Sequence, residues 1–359
     1  MPDVKKLGVL TGGGDSPGIN AAIRAIVRRA RSAGLEVVGF RDGWRGVLDD
    51  DVVPLAPTDV VGILHVGGTI LGTSRTNPYE KDLATGAWTP TAKVNRILDT
   101  LKRRRVDVLI PIGGDDTLGV AHRLASHGLQ AVGIPQTIDN DVGGTDYAIG
   151  FHSALAVVTD ALDRLHTTAH AHHRVLIVEV MGRDAGWIAV LGGLAGGGDV
   201  ILTPEEPFSV QQVEDALRAR LEAGRRFSII VVAEGARPIE LGSRQVVAEG
   251  RVDAFGHTQL GGVGYWLAGE LEKRSLPLTP RVTVLAYLQR GGDATPFDRL
   301  LATRFGVAAV EFALAGRYDV MTGLQGTNVA AVPLADALAG CPKPVPTGYL
   351  ELARNIGVR

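Results

Sequence analysis

The sequence predicts an α/β protein built on mainly parallel sheets covered on both faces. Three observations carry that expectation. Short, continuous apolar runs alternate with segments of helical spacing, the pattern of strands buried on both faces. Glycine-rich turns follow many of those runs, and 47 of the 359 residues are glycine, against a usual share of about 7%. The length also exceeds the roughly 100–200 residues of one domain, so two units or one large one are expected.

Each element follows from the order of residues. Leu7 to Thr11 is a short apolar run ending in Gly12-Gly13-Gly14. Ile19, Ala22, Ile23, Ile26, Val27 and Ala30 then recur at helical spacing. Glu36 to Phe40 reads as the next strand and Val106 to Ile112 as a clearer one. Gly113-Gly114-Asp115-Asp116-Thr117 and a helix through Leu118, Ala121 and Leu124 come after it, then a short strand from Gln130 to Ile134. A helix from Phe151 to His166 marks the expected division of the chain near residue 150. Beyond it, Arg174 to Val180 is an apolar strand, followed by a turn through Met181-Gly182-Arg183 and a helix from Trp187. Val200 to Leu202 and Phe227 to Ala233 are further buried strands. Val213, Ala216, Leu217 and Leu221 share one helix face. Pro238 to His257 is polar and aperiodic, a surface hairpin or loop.

Composition excludes several classes of protein. Thirty-seven basic against 39 acidic residues give a net charge of −2, so no global basic footprint for nucleic acid is present. A single cysteine, Cys341, excludes an intrachain disulfide framework and a cysteine-based zinc site. The first residues lack a signal-peptide pattern. The longest apolar stretch, Trp187 to Gly198, is broken by glycines. A cytoplasmic protein with no membrane partner is expected.

Chemistry concentrates where strands are expected to end. The first glycine cluster is neither a dinucleotide fingerprint nor a P-loop: the third glycine position falls on Pro17, and no Gly-Lys pair occurs. On that cluster alone a tight turn is the preferred reading over a phosphate cradle. Asp115 and Asp116 can cap a helix or hold Mg²⁺, which takes one or two carboxylates plus substrate phosphates. In Thr137-Ile138-Asp139-Asn140-Asp141, an extended backbone would present a hydroxyl and two carboxylates on one side. One carboxylate could then accept a substrate proton. Arg183, Glu234 and Arg290 stand at further expected strand ends. Glycines, carboxylates and arginines together suit phosphoryl transfer, where catalysis is mostly positioning and charge stabilisation. The cluster His166, His170, His172 and His173 lacks a third conventional ligand type and reads as an exposed turn or subunit contact rather than a zinc site.

Taken in order, these motifs resemble the 6-phosphofructokinases over nearly the whole chain. The marks are Gly8 to Asp15, Gly67 to Gly72, Gly113 to Thr117, Thr137 to Asp141, Val178 to Arg183 and Gln289 to Gly292. Phe40 to Gly46 and Thr73 to Pro78 look like the actinobacterial branch, which includes pyrophosphate-dependent members. The resemblance implies two three-layer Rossmann-like domains with the active site in the cleft between them. Residues 1–150 plus about 291–343 would bind the donor phosphates and Mg²⁺. Residues 151–290 plus about 344–359 would bind the sugar phosphate.

The resemblance also implies roles. Asp139 would take the proton from the 1-hydroxyl of fructose 6-phosphate, Arg183 would stabilise the transferring phosphoryl group, and Thr137 would lie beside it. Asp115 would hold Mg²⁺, with Asp141 near the reacting centre. Gly14, Arg75 and Thr117 would touch the donor. Met181, Gly182 and Glu234 would hold the sugar, and Arg290 its 6-phosphate. Arg174 and Arg281 would reach that phosphate in a neighbouring subunit, which implies a homodimer or homotetramer with shared sites. Asp116 replaces a glycine typical of ATP enzymes and crowds the inner phosphate of ATP, as in pyrophosphate users. Gln136 stands where those users carry lysine, and would donate a hydrogen bond instead of a charge. Tyr287 replaces a histidine of the sugar-phosphate site. The expected activity is therefore a Mg²⁺-dependent phosphotransferase making fructose 1,6-bisphosphate, with pyrophosphate preferred. An ATP-dependent enzyme, a kinase of a related sugar phosphate and a non-catalytic sugar-phosphate-binding subunit are the alternatives.

Overall fold

The computed structural model describes residues 4–358 except 83–84, 243–245, 253–257 and 275. The larger of its two main sheets runs Asn328–Pro333, Val320–Gln325, Val132–Thr137, Val108–Gly113, Lys6–Thr11, Glu36–Phe40, Val52–Pro54. The five inner strands are parallel, and each edge strand is antiparallel to its neighbour. The second sheet, Val200–Leu202, Ser228–Ala233, Val175–Val180 and Pro280–Val284, is parallel throughout.

Both sheets are covered on both faces, as their uninterrupted apolar strands require. Val108, Ile110 and Ile112 point into a core shared with helices Ile19–Ser32 and Pro296–Leu314. Leu109 points the other way, toward Trp44, Ile97 and Leu118. In the second sheet Leu176, Val178 and Val180 meet helices Phe151–His172 and Trp187–Ala195. Val175 and Ile177 meet helices Val210–Glu222 and Val263–Glu272. Emptying one such site, for example Ile177→Ala, would cost about 2–5 kcal/mol. Helix Val210–Glu222 starts at a capping box: Ser209 accepts from the Gln212 N–H while the Gln212 side chain accepts from the Ser209 N–H.

Several boundaries differ from the sequence reading. The strand expected at Gln130 runs instead from Val132 to Thr137, which puts Gln136 and Thr137 on the strand itself. The helix from Phe151 continues to His172, so His166, His170 and His172 lie on a helix and not in a turn. The rings of His166 and His170 pack edge-on against Phe227, and His166 Nε2 lies 2.8 Å from the Gly196 carbonyl. Within the polar segment, Val247–Val252 pairs antiparallel with Thr258–Leu260, the hairpin alternative; residues 243–245 and 253–257 of that segment lie outside the described residues. No described helix is long and apolar enough to cross a membrane.

Candidate active site

The carboxyl ends of strands from both sheets meet at one pocket, the position at which open α/β sheets bind ligands. The larger sheet contributes Gly14, Asp115, Asp116, Gln136, Thr137, Asp139 and Asp141, with Arg75 and Gly114. The second sheet and the segment after it contribute Arg183 and Arg290.

On the glycine side, backbone approach is the governing constraint. A Cβ on Gly14 would lie 2.5 Å from Arg290 Nη1, which itself donates to the Asp15 carbonyl at 3.2 Å. Only glycine lets that guanidinium lie flat on the loop. A Cβ on Gly12 would lie 2.6 Å from Thr117 Oγ1. Thr117 is thus buried under the glycine loop, outside the pocket lining. Helix Ile19–Ser32 starts only after Gly18, so its N-terminus is set back from Gly12 to Gly14. Helix Asp115–Ala125 starts directly after Gly114, and Asp115 and Asp116 occupy its first turn without capping it.

Gln136 lines the pocket and is held from the loop side. Its amide nitrogen donates to the Gly14 carbonyl at 3.1 Å and to Ser16 Oγ at 2.8 Å. An amide has two N–H groups, and both have partners within the chain while the side chain lines the pocket. The stretch after it is not extended. The Asp139 N–H donates to Thr137 Oγ1 at 3.1 Å, and Asn140 takes a φ of 52°. The Asn140 side chain accepts from the Ala148 N–H and donates to the Asp146 carbonyl. Asp and Asn favour such turns, and it is this turn, not strand alternation, that brings Asp139 and Asp141 to the same pocket.

Charge is concentrated and buried. Burial pushes the Asp139 carboxyl up from its usual range, and Arg290 and Arg183 pull against that rise. Asp141 is pushed well above the usual range, first by burial and then by Asp139 and Asp115. Burial works against the Arg183 charge, but Asp139, Asp115, Asp116 and Asp141 outweigh it and raise the guanidinium. Arg183 sits at φ 50° after Gly182 at φ 145°, a strained turn of the kind found at functional sites. Its N–H donates to the Glu234 carboxylate at 3.2 Å. Glu234 is raised to about 7 by burial and by Asp139.

The pocket suits Mg²⁺. Asp139 Oδ1 is buried without a hydrogen-bond partner, and the neighbouring carboxylates repel one another. Among the described residues no group of three or more side chains forms a complete metal cage. Mg²⁺ typically takes one or two carboxylates and completes its shell with water and phosphate oxygens.

The remaining expected residues lie outside the pocket lining. Met181 packs against the core of the second sheet, and buried Gly182 precedes Arg183. Arg174 precedes strand Val175–Val180, and Arg281 pairs with Leu176, so both stand at the amino ends of strands, away from the pocket. Arg281 is exposed and donates to the Pro280 carbonyl. Tyr287, on a short 3-10 turn Ala286–Arg290, is 73% exposed and does not reach the pocket within this chain.

Residues 6–313 match the family model described as Phosphofructokinase. The chain belongs to the phosphofructokinase family. A pyrophosphate–fructose 6-phosphate 1-phosphotransferase of Amycolatopsis methanolica is 51% identical over 347 residues, 96% of this chain and 98% of its own. An ATP-dependent 6-phosphofructokinase of Chloroflexus aurantiacus is 46% identical over 359 residues, 99% of this chain and 97% of its own. The crystal structure of a pyrophosphate-dependent phosphofructokinase from Nitrosospira multiformis superimposes with a TM-score of 0.80 at 24% identity, covering 95% of this chain and 86% of that one, and shows the shared fold. The architecture of this phosphofructokinase is therefore the expected pair of Rossmann-like units.

Other residues around the phosphofructokinase site carry no local signal in the sequence. Ser16 holds Gln136, and Glu205 accepts the Gly186 N–H at 2.9 Å behind the Arg183 turn. Lys343 touches the acidic turn from the far end of the chain. Their roles depend on contacts between distant segments.

Proposed function

We propose that this phosphofructokinase transfers a phosphoryl group from pyrophosphate, in preference to ATP, to the 1-hydroxyl of fructose 6-phosphate. One observation carries the donor preference: Asp116 lines the pocket beside Asp115, in the first turn of the helix where ATP enzymes of the family have glycine. A second carboxylate there crowds and repels the inner phosphate of a nucleotide, whereas pyrophosphate ends before it.

The residues fit in-line transfer. The 1-hydroxyl oxygen attacks the terminal phosphorus of pyrophosphate, the bond to the leaving phosphate breaks, and the hydroxyl proton passes to Asp139. Burial raises that carboxyl toward the working pH of a general base. Arg183 stabilises charge on the equatorial oxygens, and Thr137 lies beside it. Asp115 would hold Mg²⁺, which would supply neutralisation of the phosphate charge. Gly14 and Arg75 touch the donor phosphates, Arg290 grips the 6-phosphate of the sugar, and Met181, Gly182 and Glu234 form the sugar wall. The products are fructose 1,6-bisphosphate and phosphate.

The placement of Arg174 and Arg281 at the far strand ends supports a homodimer or homotetramer in which they complete a neighbour's sugar-phosphate site; Tyr287 stands on the same short turn as Arg290, at the edge of the site. The two sheets support a division into residues 1–150 plus about 291–343 and 151–290 plus about 344–359. A cytoplasmic enzyme fits this reading. The test is a side-by-side assay of purified protein with fructose 6-phosphate and Mg²⁺, comparing pyrophosphate and ATP. A higher kcat/KM with pyrophosphate is expected. A higher value with ATP overturns the donor assignment, and turnover with neither directs attention to other sugar phosphates.

A further inference from the structure

The carboxylate wall and the Arg183 wall of the pocket come from different sheets, and no strand register connects them. A segment near the chain's end touches both. The Lys343 N–H donates to the Asp141 carbonyl at 2.7 Å. Its ammonium donates to the carbonyls of Thr145 at 2.7 Å and Asp146 at 3.0 Å. On the other side, the Trp187 indole N–H donates to the Lys343 carbonyl at 2.9 Å, and the ammonium lies 4.9 Å from the Trp187 ring centre. The Val345 N–H donates at 3.2 Å to Glu205, whose carboxylate also accepts the Gly186 N–H that closes the Arg183 turn.

We infer that Lys343 is a positioning residue, the centre of a strap that sets the separation between the acidic turn carrying Asp139 and Asp141 and the turn carrying Arg183. The inference rests on the reading of Asp139 as proton acceptor. A half-buried ammonium is costly unless its N–H groups are satisfied. This one spends them on the Thr145 and Asp146 carbonyls, in the segment that follows the acidic turn, and lays its charge against an aromatic face. Burial lowers it to about 8, with Asp146 and Asp141 opposing the fall, so it remains mainly charged near neutrality. Small displacements of reacting groups cost turnover more than binding. The strap therefore acts on kcat and leaves substrate affinity nearly intact.

The test compares Lys343→Met, Lys343→Arg and Asp139→Asn in the full chain by steady-state kinetics and thermal unfolding. Lys343→Met should lower kcat about tenfold with each KM within about threefold, and Lys343→Arg should recover most of the loss. A Lys343→Met kcat within about twofold of the parent, or equal losses in the Met and Arg variants, overturns the inference. If Lys343→Met does not unfold cooperatively, Trp187→Phe decides. It removes the indole N–H bond and part of the buried ring beneath the ammonium, and should lower kcat about threefold at constant KM; an unchanged kcat counts against the strap. Normal turnover in Asp139→Asn removes the proton-acceptor reading itself. Loss there, with parental kcat in Lys343→Met, removes only the strap.

Discussion

The strand ends of the larger sheet bring Asp115, Asp139 and Asp141 to the pocket, whereas those of the smaller sheet bring Arg183 with Glu234 behind it. The carboxylate wall is destabilised by its own composition, since Asp141 is pushed up by burial and then by Asp139 and Asp115. The opposite wall gains from the same charges, because those carboxylates favour the half-buried Arg183 guanidinium. Each wall is costly alone, and the opposite charges offset one another across the pocket. Groups brought together in this way are chosen for reactivity over stability.

The comparison can be broken most severely at Asp139. Asp139→Asn should lower kcat by at least about 10²-fold, the low end for a general base, with a smaller change in KM; near-normal turnover would remove it from that role. Next in size is Gly14→Ala, whose new methyl must displace the Arg290 guanidinium. The KM of a phosphate-bearing substrate should rise about tenfold, since one charged hydrogen-bonding group is lost from binding. An unchanged KM would show that Arg290 grips nothing from that position. Asp116→Gly should shift the ratio of kcat/KM for ATP over pyrophosphate upward by about fivefold, an electrostatic effect screened at the pocket mouth. No change in that ratio would mean donor choice is set elsewhere.

The smallest effect concerns pH. Glu234 is raised from 4.5 to about 7 in the folded protein, so the folded state binds the extra proton. Its contribution to stability is full below about pH 4.5 and is lost as pH rises through about 7. Glu234→Gln removes that proton linkage. The melting temperature of the variant should gain on the parent by a few degrees between pH 5 and pH 8, roughly the shift expected for 1 kcal/mol or so. A constant difference across that range would mean the carboxyl is not held protonated.

Much of this was legible because it is local. Apolar runs punctuated by glycine mark strands buried on both faces, and Leu109 against Ile110 shows the alternation that packing requires. Most of the pocket residues named from the motifs converge because parallel strands deliver their carboxyl ends to one edge. What was not legible is pairwise and distant. Thr117 has the right chemistry for a donor contact, but the helix turns it under Gly12. Gln136 has two donors, and Gly14 and Ser16 consume both. Tyr287 faces outward because its short 3-10 turn presents it to solvent. The acidic turn converges through the left-handed Asn140, a conformation that strand periodicity does not anticipate.

The larger sheet is not closed by consecutive segments. Strand Val132–Thr137 pairs at its carboxyl end with the short strand Ile149–Gly150, but its amino-terminal half acquires its outer parallel neighbour, Val320–Gln325, and the antiparallel edge beyond it only from the last part of the chain. Everything in the second sheet is synthesised in between. A nascent chain therefore carries an open parallel edge while the second sheet is being made, and such edges invite pairing with other chains. A product ending before Val320 would keep all four strands of the second sheet and lose this cover, so premature termination there should yield aggregates rather than a smaller soluble enzyme.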